Sequence, residues 1–259
     1  MMTQHPQRAT YIGHATILIE MNGLRIVTDP LLRRRVMHLR NHSEQVNDLA
    51  HLPNDLILIS HAHWDHLDLP SLRRMRRSTP IFAPVGVGKI LQRDGFTAVD
   101  EMRVGEERQM GELRIKATLA NHEGKRYPFG SALGCLGFVV QGRHTVYFPG
   151  DTDIFPAMCE MAGRVDVALL PVWGWGPTLG PGHMTPRRAA EALTLIRPKA
   201  AIPIHWGAFY PLGLRRLLPN HLVRPPQLFA QHARELAPET RICILRPGES
   251  VELDDIAGG

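Results

Sequence analysis

A layered α/β fold, with helices lying outside strands, is what this sequence predicts, and three observations predict it. Short apolar runs rich in β-branched residues recur along the whole chain, separated by turn signals. Segments with helical spacing fall between those runs, so strands come in groups with helices between them. The opening is antiparallel, because residues 15–20 and 24–28 flank Met21-Asn22-Gly23, a hairpin signal. Periodicity alone leaves open whether the strands form one sheet or two.

In chain order, the next strand is expected at 56–60, where Leu56-Ile57-Leu58-Ile59 is continuously apolar and ends in Ser60. A helix is expected over 69–77, a strand at 80–83 and a helix over 87–94. Strands follow at 113–119, at 136–141 and at 145–148, the last two joined across a Gln-Gly-Arg-His turn. A helix over 155–161 and a strand at 167–170 come next. The clearest helix is 186–196, with Thr185 as N-cap, Pro186 at the first helical position, and Ala189, Ala190, Leu193 and Ile196 at helical spacing. A strand at 200–204, a helix over 226–236 and a strand at 241–245 complete the pattern.

With 259 residues, 44% hydrophobic and 21% charged, the chain has ordinary globular composition and can bury a substantial core. No linker, composition shift or internal repeat divides it, so residues 1–259 are read as one domain. The N-terminus lacks the apolar core of a secretory signal, and no segment approaches the ~18 apolar residues needed to span a bilayer, which predicts a cytoplasmic protein without stable membrane insertion. Cys135, Cys159 and Cys243 are too few and too scattered for a disulfide framework and read as buried small hydrophobes. The net charge of +5 is too mild to argue for nucleic acid. Arg33-Arg34-Arg35 and the cluster 73–77 are suited to phosphate, or are solvated faces.

The decisive feature follows the run at 56–59: His61, His63, Asp65 and His66 arrive within six residues. Imidazole and carboxylate together suit zinc and related divalent ions, and a loop beyond a strand can aim several of them at one point. Even among 14 histidines, such a pattern is expected only about 0.002 times by chance. Hydrogen-bonded core histidines are the bland alternative, yet four such groups would each need a buried partner. One loop cannot saturate two metals, so further ligands are required. His122, Asp151 and His205 each lie just beyond an apolar run, where α/β architectures place functional loops.

These residues resemble the metallo-β-lactamase superfamily, whose His-x-His-x-Asp-His signature stands unbroken at 61–66. Tyr11 to Thr16, Thr28-Asp29-Pro30, Gly150-Asp151-Thr152, Gly182 to Pro186 and Ile204 to Gly207 are similar to the branch containing N-acyl-phosphatidylethanolamine-hydrolysing phospholipase D and ascorbate-6-phosphate lactonase. The resemblance implies an αββα sandwich of two mixed sheets with helices outside. It implies that His61, His63 and His122 bind one metal, that Asp65, His66 and His205 bind a second, and that Asp151 bridges them. His183 matches a histidine near the substrate, and His14, Asp29 and Asp68 match positions behind the ligands.

The implied chemistry is ester hydrolysis by hydroxide shared between two divalent ions, most simply Zn²⁺, with Mn²⁺ or Fe²⁺ as alternatives. Asp65 would also take a proton and His183 would steady the oxyanion. Superfamily oxidoreductases resemble this chain but carry Glu where His63 stands, so hydrolysis is favoured over redox chemistry. No membrane-docking segment stands out, which turns the expectation from bilayer lipids toward a small phosphodiester or phosphorylated molecule. A lactone or other carboxylic ester is the alternative substrate, and a nucleic-acid-processing role using the arginine clusters is the alternative of another class. Trp64, Trp173, Trp175 and Trp206 lie in or beside the motifs, as an apolar wall or as packing. Substrate identity and oligomeric state are not written in the sequence.

Overall fold

The computed structural model describes residues 5–42, 53–126, 132–174, 176, 178–218 and 220–258. Among them the strands build two seven-stranded mixed sheets and two small ribbons. The first sheet runs Ser250–Glu252, Arg8–Gly13, Thr16–Met21, Leu24–Thr28, Leu56–Leu58, Ile81–Pro84, Val99–Met102. Its first half pairs antiparallel, and from Leu24–Thr28 onward every pairing is parallel. The second sheet runs Arg241–Ile242, Ala200–Ile204, Val167–Pro171, Thr145–Phe148, Leu136–Gln141, Leu113–Leu119, Glu107–Met110, parallel as far as Thr145–Phe148 and antiparallel beyond. The opening hairpin closes Met21 on Leu24 across Asn22 and Gly23, whose φ of 50° and 79° give the turn that matches strand twist.

Alternation along the strands sorts the side chains into layers. Ile17, Ile19, Ile26, Leu56 and Leu58 of the first sheet share one buried cluster with Leu113, Ile115, Phe138 and Val140 of the second. Each such aliphatic burial is worth about 1.5–3 kcal/mol. The other face of the first sheet, with Leu18, Val27, Ile57 and Ile81, is covered by Leu72 and Leu91 from the Leu69–Leu72 and Gly88–Arg93 helices. On the far side, helices Pro186–Ile196 and Pro225–Leu236 pack on each other and on the second sheet through Leu193, Ile196 and Phe229. The result is the expected αββα sandwich.

Several elements differ from the sequence reading, mostly through contacts distant in sequence. The helix expected over 69–77 is α-helical only at Leu69–Leu72, after which Arg74, Met75 and Thr79 close tighter three-residue turns. Arg73 and Arg77 both reach Asp94 there. Residues 156–161 form a 3₁₀ helix, and the last strand of the second sheet stops at Ile242 instead of 245. The strand Arg8–Gly13 was not expected; it pairs on both sides, with Thr16–Met21 and with the C-terminal Ser250–Glu252. The cysteines are free, but Cys159 is exposed and Cys135 and Cys243 only partly buried, which corrects their reading as core residues.

At one edge of the sandwich the two sheets are tied by main-chain bonds. Leu136 N–H donates to Ser60 O at 2.9 Å, and His205 N–H donates to His14 O at 2.8 Å. The loops after Leu56–Leu58, Leu113–Leu119, Thr145–Phe148 and Ala200–Ile204 all emerge at this edge, so residues 61–66, 122, 151 and 205 are brought together by topology.

Candidate metal centre

The loop beyond Leu56–Leu58 turns through bonds from the His66 and Leu67 N–H groups to His63 O, at 3.1 and 2.8 Å. This tight turn sends His61 and His63 to one side and Asp65 and His66 to the other. Arg126 clamps it from behind: buried to 5% exposure, it donates to Ala62 O at 2.8 Å and Leu67 O at 3.0 Å. Its guanidinium also lies 4.1 Å from the Trp64 ring centroid.

Two groups of donor atoms result. In the first, His63 Nδ1 is 2.9 Å from His61 Nε2 and 3.1 Å from His122 Nε2. In the second, His66 Nε2 is 3.2 Å from His205 Nε2 and 3.8 Å from Asp65 Oδ2. Asp151 serves both. Its Oδ2 lies 3.1 Å from His66 Nε2, its Oδ1 lies 3.2 Å from His205 Nε2, and it also falls within 4.8 Å of donors from His122 and His183.

The outer nitrogens of His61, His66, His122 and His205 are fixed by acceptors. His66 Nδ1–H donates to Asp29 Oδ2 at 2.7 Å, His205 Nδ1–H to Trp173 O at 2.9 Å, and His122 Nδ1–H to Gly182 O at 2.9 Å. The Ser60 hydroxyl gives its proton to Asp29, so it accepts from His61 Nδ1–H at 2.9 Å. Each of these four rings therefore turns Nε2 inward, the arrangement that orients histidine for a metal. One proton on His63 Nδ1 can serve only one of its two neighbours. Asp151 Oδ1 is buried without a hydrogen bond. A divalent cation answers both problems, and the mixture of imidazole and carboxylate donors suits it.

Protonation points the same way. Burial, reinforced by neighbouring imidazoles, holds His61 and His205 well below the ordinary histidine value and His122 down at about 4, while His63 is lowered mainly by burial. Burial alone would raise Asp65 and Asp151, but the surrounding imidazoles outweigh it and hold both well below the carboxylate range. His66 is the exception. Burial lowers it, yet Asp151 and Asp65 raise it well above its ordinary value, making its proton the one that a cation would displace.

His183 approaches the cluster from the helix-entry loop, its Nε2 3.2 Å from Asp151 Oδ2 and its Nδ1 3.2 Å from both Gly180 O and Pro181 O. His14 sits behind Asp65, with Nε2 2.9 Å from Oδ2. Asp29 sits behind His66. Asp68 does neither: it caps the Leu69–Leu72 helix through the Ser71 N–H and binds Arg33 through both carboxylate oxygens, so its place is structural. His14, Asp29 and His205 are non-glycine residues at φ of 58°, 33° and 63°, a left-handed conformation that persists where surroundings over-determine it. Trp206 packs on Tyr11, Trp64 on Arg126, and Trp173 lines a cavity beside the centre, while Trp175 lies outside the described residues. Sequence reasoning missed Ser60, Arg126, and the carbonyls of Trp173 and Gly182.

A family model described as the Beta-lactamase superfamily domain matches residues 24–206. The chain is 30% identical over 252 residues to a metal-dependent hydrolase of Methanopyrus kandleri, covering 95% of this chain and 99% of that one. It is also 30% identical over 231 residues to N-acyl-phosphatidylethanolamine-hydrolyzing phospholipase D 1 of Caenorhabditis elegans, covering 79% of this chain and 65% of the relative. Among solved structures, Igni18, a metallo hydrolase from Ignicoccus hospitalis, superposes with a TM-score of 0.72 at 25% identity, covering 94% of this chain and 97% of that one. With its matched domain and its cluster of histidines and aspartates able to hold metal, the chain belongs to the metallo-β-lactamase superfamily, among the metal-dependent hydrolases.

Proposed function

We propose that the chain, acting as one unit, is a dinuclear metal-dependent hydrolase of ester bonds, and that its substrate is a small phosphodiester or phosphorylated molecule. The observation that carries this reading is the convergence of two donor groups on Asp151. In it, His61, His63 and His122 would hold one divalent ion, Asp65, His66 and His205 would hold the other, and Asp151 would contribute to both. Zinc suits this donor set best, with manganese and iron as alternatives. Such ions, when bound, supply hydroxide at neutral pH and draw charge from the ester oxygen.

The chain's own groups do the rest. Asp65 Oδ2, steadied by His14 Nε2 at 2.9 Å, keeps a lone pair for the proton of the attacking water. His183, tethered at Nδ1 by main-chain carbonyls, presents Nε2 to the oxygen on which charge develops. The phosphodiester part of the reading draws on the likeness to the phospholipase D, and that enzyme's printed lipid substrate is not carried over. Among the described residues no helix is long and apolar enough to cross a membrane. The nucleic-acid alternative loses support because Arg33 is held by Asp68 and Arg73 and Arg77 by Asp94.

The test combines metal content with a substrate panel: bis(p-nitrophenyl) phosphate, simple lactones and p-nitrophenyl acetate, with and without chelator. Two zinc ions per chain and chelator-sensitive cleavage, fastest on the phosphodiester, are expected. Faster lactone cleavage would overturn the substrate class, and a metal-loaded protein inert toward every ester would overturn the activity.

A further inference from the structure

Beside the metal centre lies a second feature, a cavity of about 200 Å³ walled by Trp173, Pro186 and Leu228 and edged by Asn220, His221 and Arg224. Two of its walls are joined to the centre through the main chain. Trp173 is the residue whose carbonyl accepts from His205 Nδ1–H, and Pro186 stands three positions beyond His183. The His221 ring leans on the Trp173 indole, their centroids 5.7 Å apart.

The charge at this rim is one-sided. No Asp or Glu occurs anywhere from His205 to Arg234. Arg224 is exposed at this rim, and no carboxylate among the described residues pairs with it. A guanidinium without a counter-ion, at the lip of a partly apolar cavity, matches an oxyanion on a small apolar carrier. Size narrows the class further. Pockets for drug-sized ligands span roughly 300–1,000 Å³, so this open cavity suits a single ring or short chain.

We infer that this cavity reads the non-reacting end of the substrate, an oxyanion borne on a small ring or short chain, with Arg224 pairing the charge and Trp173 covering the apolar part. The inference rests on the hydrolase reading above and adds a specificity-determining residue to it. Arg224 touches none of the donor atoms of the metal centre, so it selects substrates and leaves the chemical step alone.

The test uses the zinc-loaded protein and p-nitrophenyl methyl phosphate beside p-nitrophenyl 2-carboxyethyl phosphate, which differ by one remote carboxymethyl group. R224A should lower kcat/KM for the carboxylate-bearing ester about tenfold or more, through KM, with the methyl ester unchanged and R224K restoring part of the loss. Equal losses on both esters, or none on either, would overturn the subsite. Calorimetric titration with benzenesulfonate against neutral benzyl alcohol separates the two readings. If wild-type protein cleaves neither ester, the phosphodiester reading fails, and the subsite then stands on a tenfold weaker binding of benzenesulfonate by R224A, or falls if that binding is unchanged.

Discussion

Asp29 lies close to both His61 and His66, and its pair with His66 Nδ1–H decides which nitrogen His66 turns inward. Its carboxylate accepts from His66 Nδ1–H, from Ser60 N–H and from the Ser60 hydroxyl, all within a fully buried pocket. D29N keeps the shape and replaces one acceptor oxygen by a donor, so one of these three protons loses its partner. Metal affinity should fall about 10–100-fold, read by competition with a chromophoric chelator, and unchanged affinity would contradict the role. D151A and H63A should go further, lowering bound zinc below two per chain while circular dichroism stays that of the folded protein; two retained ions would contradict the ligand assignment. The histidine motif at 61–66 was legible because its residues are contiguous, and His122, Asp151 and His205 because each follows an apolar run. Ser60, Arg126 and the two carbonyls were not, since a main-chain acceptor carries no side-chain signature and a lone arginine looks like any other. Asp68 looked like part of the site because it closes the motif, but its neighbours Ser71 and Arg33 claim it.

Among the loops, glycines set how closely the two sheets approach. Gly150, at φ of +64°, leads into Asp151, and a Cβ there would lie 2.4 Å from Ser60 Cβ and 3.2 Å from Leu136 O. G150A therefore pushes the Asp151 loop away from the histidine loop. It should cost about 2 kcal/mol or more in stability and also weaken metal binding, because one contact serves both. The Thr185 cap of the Pro186–Ile196 helix gives the contrast. T185A removes the bond its side chain accepts from Arg188 N–H and should cost about 1 kcal/mol, a lowering of Tm by about 2–4 °C, with zinc content intact. Equal effects of the two variants on metal would contradict the separation. The elements that were legible in advance are those with a strong local signal: the capped helix at 186–196, the Asn-Gly hairpin, and the apolar runs at 113–119 and 200–204. The Arg8–Gly13 strand escaped because its pairing with Ser250–Glu252 joins the two ends of the chain, a contact that no local pattern contains. The helix expected over 69–77 fell short because Arg73 and Arg77 find a common carboxylate in Asp94, a tertiary attraction stronger than helix propensity.

For the whole molecule, the same cluster couples stability to pH and to metal. With metal stripped, His61, His63, His122 and His205 have lowered folded-state values, His122 at about 4, against about 6.5 in the unfolded chain. Between pH 6.5 and about 4 the unfolded chain thus binds more protons, and stability falls as pH falls; the depressed Asp65 and Asp151 add the same sign below the carboxylate range. His66 and His183 act oppositely. Both are raised, His183 to about 9 where Asp151 outweighs its burial, so their contribution is complete below pH 6.5 and is lost as pH climbs toward 9. The stripped protein should therefore be most stable near pH 6.5 and weaken in both directions. Zinc changes the shape of that curve as well as its height: the ion takes the place of the His66 proton, which removes part of the alkaline loss, and acid must now displace metal, which steepens the other limb. At a hundredfold excess over Kd, one site adds about 2.7 kcal/mol, a rise in Tm of about 5–10 °C. Thermal unfolding from pH 4 to 9, with chelator and with zinc, measures this directly, and a maximum that stays at the same pH in both would mean that His66 and its neighbours are not where the metal binds.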